Sequence, residues 1–153
     1  MLFKRLSEKD LTELEQEFIE FLVLNGITAV DWLKLKKDKP QNASQMIDSF
    51  SDVVYAGMMR KVQYVDRITP AEIMCFYCQP DQIVLVALET KNASVDFTTL
   101  TDFSDITNIS QDIHIYTTIK QYAKPREQEV FDLIGLGANV SDSTLFNAIC
   151  LGL

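Results

Sequence analysis

The segment of residues 73–89 constrains the fold more than any other part of the chain. Two short apolar runs, residues 73–78 and 83–88, flank the sequence Gln-Pro-Asp-Gln, and proline followed by aspartate is typical of a turn. Both runs are rich in β-branched and aromatic residues, which favours strands over helices. We therefore predict a β-hairpin.

Both faces of this hairpin are apolar, because side chains alternate between the faces of a strand. One face carries Met74, Phe76 and Cys78 with Ile83, Leu85 and Ala87. The other face carries Ile73, Cys75 and Tyr77 with Val84, Val86 and Leu88. An antiparallel sheet often leaves one polar face in water. Neither face of this hairpin is polar enough to be left in water, so we expect helices or a second subunit to cover both faces.

Three helices are predicted before the hairpin. Ser7 caps the first, which ends at Asn25-Gly26, and Thr28 with Asp31 forms a capping box for the second, which stops before Pro40. The third begins near Asn42 and has the clearest helical spacing of apolar residues in the chain.

Further strands and helices are predicted around and after the hairpin. Strands are expected at residues 61–67, 95–98 and 114–119, and a helix capped by Thr99 is expected to run through Leu100, Phe103 and Ile106. A helix beginning at Pro125 ends at Gly135 or Gly137, and Ser141 caps a last helix. The pattern predicts one α+β domain, residues 1–153. Its antiparallel sheet of three to five strands is built on the central hairpin, with the N-terminal three-helix segment and two C-terminal helices packed on it.

Three runs of the sequence, FLVLNGITAVDW, FSDVVYAGMMRKVQYV and CQPDQIVLVALE, resemble a family of small uncharacterised proteins from Bacteroidetes-type bacteria. The resemblance covers most of the chain and is strongest up to Glu89. It implies a bacterial, cytoplasmic setting. It implies no activity and no site residues.

Composition excludes some partners. The chain has 22 acidic residues against 14 Lys and Arg, and this net charge of −8 argues against non-specific nucleic-acid binding. No apolar run approaches the ~20 residues that span a membrane, so we expect no membrane partner. Three cysteines, an odd number, fit a reducing cytoplasm.

Several patterns that could carry chemistry are better explained structurally. Cys75 and Cys78 have C-x-x-C spacing, but an offset of three on a strand sends the two thiols to opposite faces. His114 could join a cysteine and Asp112 in a catalytic arrangement, although a lone histidine on a strand is more often a surface residue. We expect no catalytic residue.

Two further patterns do not predict a bound group. The segment Gly135-Leu-Gly137-Ala lacks the third glycine and the preceding strand of a dinucleotide fingerprint. The four aspartates that could suggest a cation site lack the spacing of a calcium loop, and they fit a solvated acidic segment: Asp96, Asp102, Asp105 and Asp112. We expect no metal and no cofactor.

The leading interpretation is a non-enzymatic, cytoplasmic protein-interaction or regulatory module. An acidic stripe on the first helix, which could bind a basic partner, contains Asp10, Glu13, Glu17 and Glu20. The alternative is that these carboxylates pair loosely with the four lysines of the second helix, Lys34, Lys36, Lys37 and Lys39. A rival function is a small-molecule-binding protein or enzyme with a pocket at the sheet edge near Glu89, Asp112 and His114.

The apolar C-terminal segment, residues 149–153, suggests a two-fold homodimer. The alternative is that the last helix docks on the sheet of its own subunit. The sequence leaves the two alternatives open.

Overall fold

The predicted hairpin is present in a computed structural model, which describes residues 1–100 and 112–152. Its strands belong to an antiparallel sheet with the order β4-β3-β2-β1-β5. The strands are β1 (Tyr64–Ile68), β2 (Glu72–Cys78), β3 (Gln82–Thr90), β4 (Ile113–Gln121) and β5 (Asn139–Ser141). The helices are α1 (Glu8–Glu13), α2 (Glu15–Leu24), α3 (Ala29–Asp38), α4 (Pro40–Lys61), α5 (Arg126–Gly135) and α6 (Ser143–Cys150). The predicted α+β class is therefore confirmed.

The chain forms two compact units, Met1–Met58 and Met59–Leu153. The organisation of residues 1–153 as a single domain stays a prediction. No helix in the described part of the chain is both long and apolar enough to cross a membrane.

The hairpin register places the side chains on the two predicted faces. Cys75 pairs with Val86 and Phe76 pairs with Leu85, so alternate pairs point to opposite sides of the sheet. Helix α6 packs on the Cys75 side, where its buried Phe146 joins a core with Val86. We call this side the α6 face.

Helix α5 covers the opposite side, which we call the α5 face. Lys120 on β4 donates a hydrogen bond to Glu129 on α5 at 2.8 Å. A cavity of about 440 Å³ lies beside this contact, between Phe76 and Leu85 on the sheet and Leu133 on the helix. A helix of the same chain thus packs on each face of the hairpin.

The C-terminal helix docks on the sheet of its own subunit, which is the second of the two alternatives left open by the sequence. Leu145, Phe146 and Ile149 are all buried in the core of the α6 face. The apolar C-terminal segment is therefore largely used within one chain, and it no longer argues for a dimer.

The first unit has an aromatic core. The ring centroids of Phe18 and Phe50 lie 5.0 Å apart, those of Phe18 and Trp32 lie 5.2 Å apart, and Phe21 lies 5.4 Å from Phe50. Residues before α1 run along α4, where Asp52 accepts hydrogen bonds from the backbone N–H groups of residues 2 and 3. Helices α2, α3 and α4 thus share one cluster of rings, and the N-terminal segment of the chain is bound to α4.

Two helix predictions differ from the structure. The first predicted helix is two helices, because the backbone of Leu14 takes φ −101° and ψ 22°, outside the helical range. The third begins at Pro40 rather than near Asn42, since proline is favoured in the first turn, where its missing N–H has no intrahelical acceptor.

Two predictions in the second half are wrong. Ser141 does not cap the last helix: it lies in the short strand β5, and Asp142 is the cap. The strand expected at residues 95–98 is replaced by a turn and a 3-10 helix, Phe97–Thr99, because the side chain of Asp96 caps that turn. Most of the helix expected from Thr99 through Ile106 lies outside the described residues.

Candidate functional site

A cleft at the edge of the sheet contains the three residues that the sequence placed near a pocket. Glu89 on β3 lies directly opposite His114 on β4, and Asp112 precedes β4. Together with Lys91 and Asn92 they line a cleft of about 520 Å³. This volume lies within the range of small-molecule sites.

Two separate hydrogen bonds lie in or beside this cleft. Asn92 Nδ2 donates to Asp112 Oδ2 at 3.0 Å within it. Beside it, Tyr116, whose ring stacks on that of His114, donates its hydroxyl to Glu72 Oε1 at 2.8 Å. Burial, with the nearby carboxylate of Glu72, raises the pKa of Tyr116 to about 12, so the phenol remains a proton donor at neutral pH. The cleft can therefore offer both hydrogen-bond donors and acceptors to a ligand.

The arrangement does not assemble a cysteine-based catalytic site. Cys75 faces α6, on the opposite side of the sheet from His114. Cys78 faces α5, on the same side as His114, but it is far along the strand. It lies six residues from Glu72, which is in the same cross-strand row as His114. Six residues of strand correspond to about 20 Å. Neither thiol can therefore reach His114.

Burial also makes both thiols poor nucleophiles. It raises the pKa of Cys75 strongly, and it raises the pKa of Cys78 to about 11. Within residues 1–100 and 112–152, no group of three or more His, Cys, Asp and Glu side chains could hold a metal ion. Asp102 and Asp105, which the sequence associated with a cation site, lie outside those ranges.

A buried polar cluster lies beside α6, where β1 pairs with β5. Asp66 Oδ1 and Ser141 Oγ are both buried, and neither has a hydrogen-bond partner within the described residues. Burial raises the pKa of Asp66; the adjacent Ser141 and Cys75 oppose this rise, and Asp142 adds to it. This arrangement makes ionisation of the Asp66 carboxyl group less favourable than it is in water.

Arg126 has a structural role at the start of α5. Its guanidinium donates to the backbone carbonyls of Met59 and Cys78, each at 3.0 Å, and to that of Val62. These contacts join the end of α4, the end of β2 and the beginning of α5. Since the guanidinium is already bonded to three carbonyls, we assign it to the fold rather than to ligand binding.

The acidic stripe divides between two helices. Asp10 and Glu13 belong to α1, and Glu17 and Glu20 belong to α2. The last three are exposed, whereas Asp10 is half-buried. Among residues 1–100 and 112–152, no ion pair joins these carboxylates to the lysines of α3.

An apolar groove lies between α2 and α3. Asn25 and Gly26 end α2, and Gly26 adopts φ +74°, which allows the N–H of Ile27 to donate to the carbonyl of Leu22. The chain then doubles back, so that Trp32 on α3 contacts Phe18 on α2. The resulting groove has a volume of about 360 Å³. We call it the hairpin groove, after the helical hairpin that α2 and α3 form; it is distinct from the β-hairpin of the sheet. Its lining comprises Glu15, Phe18, Ile19, Leu22, Val23, Ile27, Ala29, Trp32, Leu33 and Lys36.

Large apolar side chains on the rim of the hairpin groove are exposed. Val23 on α2 is 63% exposed and Leu33 on α3 is 62% exposed, and Ile19 and Val30 extend the same surface. Sequence reasoning missed these residues because it followed the buried stripe through Phe18 and Leu22. The sequence does contain a signal for them. Ile19 and Val23 each follow a residue of the buried stripe by one position, so the apolar surface of α2 is wider than the core requires.

A protein-family model matches residues 1–151, and its description is "Family of unknown function (DUF6495)". No curated protein and no solved structure matches the chain.

Proposed function

We propose that the chain, which belongs to a family of unknown function (DUF6495), is a non-enzymatic protein-interaction module that docks another protein chain in the hairpin groove. The observation that carries this proposal is the exposed apolar rim of the groove. Exposed apolar side chains that lie together, with charged residues around them, are typical of protein-binding surfaces. A cytoplasmic, bacterial setting is part of the same proposal.

The shape of the groove supports this function. Two helices that are joined by a short turn both contribute apolar residues to the groove, and an apolar groove between helices can bind an amphipathic helix. Val23 and Leu33 lose contact with water when a helix occupies the groove, and burial of apolar surface contributes about 25 cal/mol per Å². The aromatic floor, Phe18 and Trp32, keeps the two walls in place.

The experiment compares two neighbouring substitutions on α2. Val23→Glu places a charge in the hairpin groove, whereas Leu24→Glu places the same charge on an exposed residue that does not line it. Proteins that co-purify with the chain from its host are identified by mass spectrometry, purified, and tested for binding to both variants. We expect a bound protein to lose affinity for the Val23→Glu variant alone. Equal binding to both variants contradicts the proposal.

The acidic stripe is a second part of this proposal, as a surface that attracts a basic partner. Glu13, Glu17 and Glu20 are exposed, and complementary charge speeds encounter more than it strengthens the final complex. A Glu13→Lys, Glu17→Lys double variant should therefore lower the association rate and its dependence on salt. If the rate does not change, the stripe is only a solvated surface.

A small-molecule-binding function is the second candidate, and the cleft that contains Glu89, Asp112 and His114 favours it. An enzymatic function would use the same cleft. A thermal-shift screen of metabolites on the wild-type protein and on a Glu89→Gln, His114→Ala double variant tests this candidate. A ligand that stabilises only the wild-type protein supports it, and a screen without such a ligand counts against it.

A further inference from the structure

The charges beside the hairpin groove complement a second copy of the same groove, and we infer that a second copy of this chain is its occupant. This inference rests on the proposed function, because it names the partner that docks in the groove. The resulting assembly is a two-fold homodimer, in which both copies use the same surface.

The two walls of the groove carry opposite charge. Helix α2 contains three carboxylates and no basic residue. Helix α3 contains three lysines and two aspartates, with the lysines in its second half. A partner that is basic over α2 and acidic over α3 matches this pattern, and the chain itself has both halves of that partner.

The positions of Glu15 and Lys36 define the arrangement. Both line the hairpin groove, and both lie at the end remote from the Gly26 turn, since α2 begins at Glu15 and α3 ends at Asp38. A two-fold axis parallel to the groove places α2 of one copy over α3 of the other with these ends together. Glu15 of each copy then faces Lys36 of the other.

The alternative two-fold arrangement is unfavourable. An axis perpendicular to the groove places α2 of one copy over α2 of the other, so that carboxylates face carboxylates. It also places each cluster of lysines at the end of α3 close to the other α3, without an acidic wall opposite it. Either axis places N-terminal helix ends against C-terminal ends, so the helix dipoles favour neither arrangement. The side-chain charges favour the parallel axis.

The apolar rims meet in the same arrangement. Val23 and Ile19 lie four residues apart on one side of α2, and Val30 and Leu33 lie three apart on one side of α3. Pairing α2 with the opposing α3 therefore covers both rims at once. Because the dimer is symmetric, each of these positions is buried in both copies.

The first test measures the mass of the purified full-length chain by light scattering after size exclusion, at micromolar concentrations. We expect a species of twice the 17.4 kDa chain mass. The Val23→Glu variant should be monomeric, and the Leu24→Glu variant should remain dimeric. Circular dichroism of both variants checks that they are folded.

The second test exchanges charges between the walls. Glu15→Lys and Lys36→Glu, each alone, should weaken the homodimer by about tenfold or more, because like charges then face each other. An equimolar mixture of the two variants should regain the wild-type affinity as a heterodimer. Asp81→Lys and Lys61→Glu are the matched controls, since both residues are exposed, do not line the groove and lie outside the charged segments of α2 and α3, and they should have little effect.

Three results overturn the inference: a 17.4 kDa species at all concentrations, a dimer that Val23→Glu does not affect, or no recovery in the mixture of charge variants. The proposed function fails separately. A monomeric chain that still binds a host protein through Val23 retains the function and excludes the second copy as its occupant. A chain that remains monomeric and whose host partners ignore the Val23→Glu substitution loses both.

Discussion

Leu85 and Val86 are consecutive residues of β3 that are buried on opposite faces of the sheet, Leu85 on the α5 face and Val86 on the α6 face. The hairpin is therefore the place where two layers of helix meet one sheet. Packing on either side depends on the same strand.

We expect Leu85→Ala and Val86→Ala each to lower the free energy of unfolding, by roughly 1–4 kcal/mol, with the smaller loss at Val86 because fewer carbon atoms are removed. Urea unfolding at neutral pH measures both. A nearly neutral effect at either position would mean that its face of the sheet is not part of the core.

The contact between Glu129 and Lys120 should be sensitive to acid. Glu129 is buried and accepts hydrogen bonds from Lys120 Nζ at 2.8 Å and from the backbone N–H groups of Ala123 and Lys124. These donors, Lys120 first, hold the pKa of Glu129 below its usual value. Its stabilising contribution is therefore present above the pKa of the unfolded chain and is lost as pH falls through the folded-state value.

We expect Glu129→Gln to lower the free energy of unfolding by about 1–3 kcal/mol at neutral pH and by less in acid. The exposed pair of Lys124 and Asp132, 2.7 Å apart, provides the control. Asp132→Asn should change stability by only about 0–1 kcal/mol. Equal losses for the two variants would mean that burial of Glu129 adds nothing to its contacts.

Asp66 should have the opposite dependence on pH. Burial, which raises its pKa in the folded state, makes its contribution most favourable at low pH, and that contribution is lost as pH rises through the folded-state value. Asp66→Asn should therefore stabilise the protein at neutral pH and flatten this part of the pH profile. Asp81→Asn, in the exposed hairpin turn, is the control. Urea unfolding between pH 4 and 8 measures the free energy of unfolding of both variants. A loss of stability at pH 7 in the Asp66→Asn variant would contradict the prediction.

The three cysteines should differ in reactivity. Cys75 and Cys78 are buried, whereas Cys150 is partly exposed. We expect an aromatic disulfide reagent to modify Cys150 first and the other two only on unfolding. A Cys75→Ala, Cys78→Ala double variant should keep the native fold, lose modest packing stability and bind as little zinc as the parent. Stoichiometric zinc in the parent alone would refute this structural role.

The sequence was informative where local pattern and tertiary context agree. The apolar runs 73–78 and 83–88 predicted both faces of the hairpin, because side chains alternate along a strand and every position in the two runs is apolar. Asn139 to Ser141 gave no such signal, because a three-residue strand is too short for periodicity and exists only by pairing with β1. The sequence could place Glu89 and His114 near one sheet edge because each lies at the end of a predicted strand, but their direct pairing depends on the order of the strands, which local pattern does not give. The hairpin groove could not be predicted, because exposure of Val23 depends on how two helices pack.

The order of strands in the sheet also determines which contact forms last. Strands β1 to β4 lie side by side in chain order, whereas β5 pairs with β1, far back along the chain, with Ser141 opposite Tyr64. Closing so long a loop costs more conformational entropy than closing a hairpin. Only three residues of β5 form the pairing that offsets this cost. The buried carboxyl group of Asp66 lies at that same junction. Local opening of the sheet should therefore begin at β5, and amide hydrogen exchange should be fastest there among the five strands.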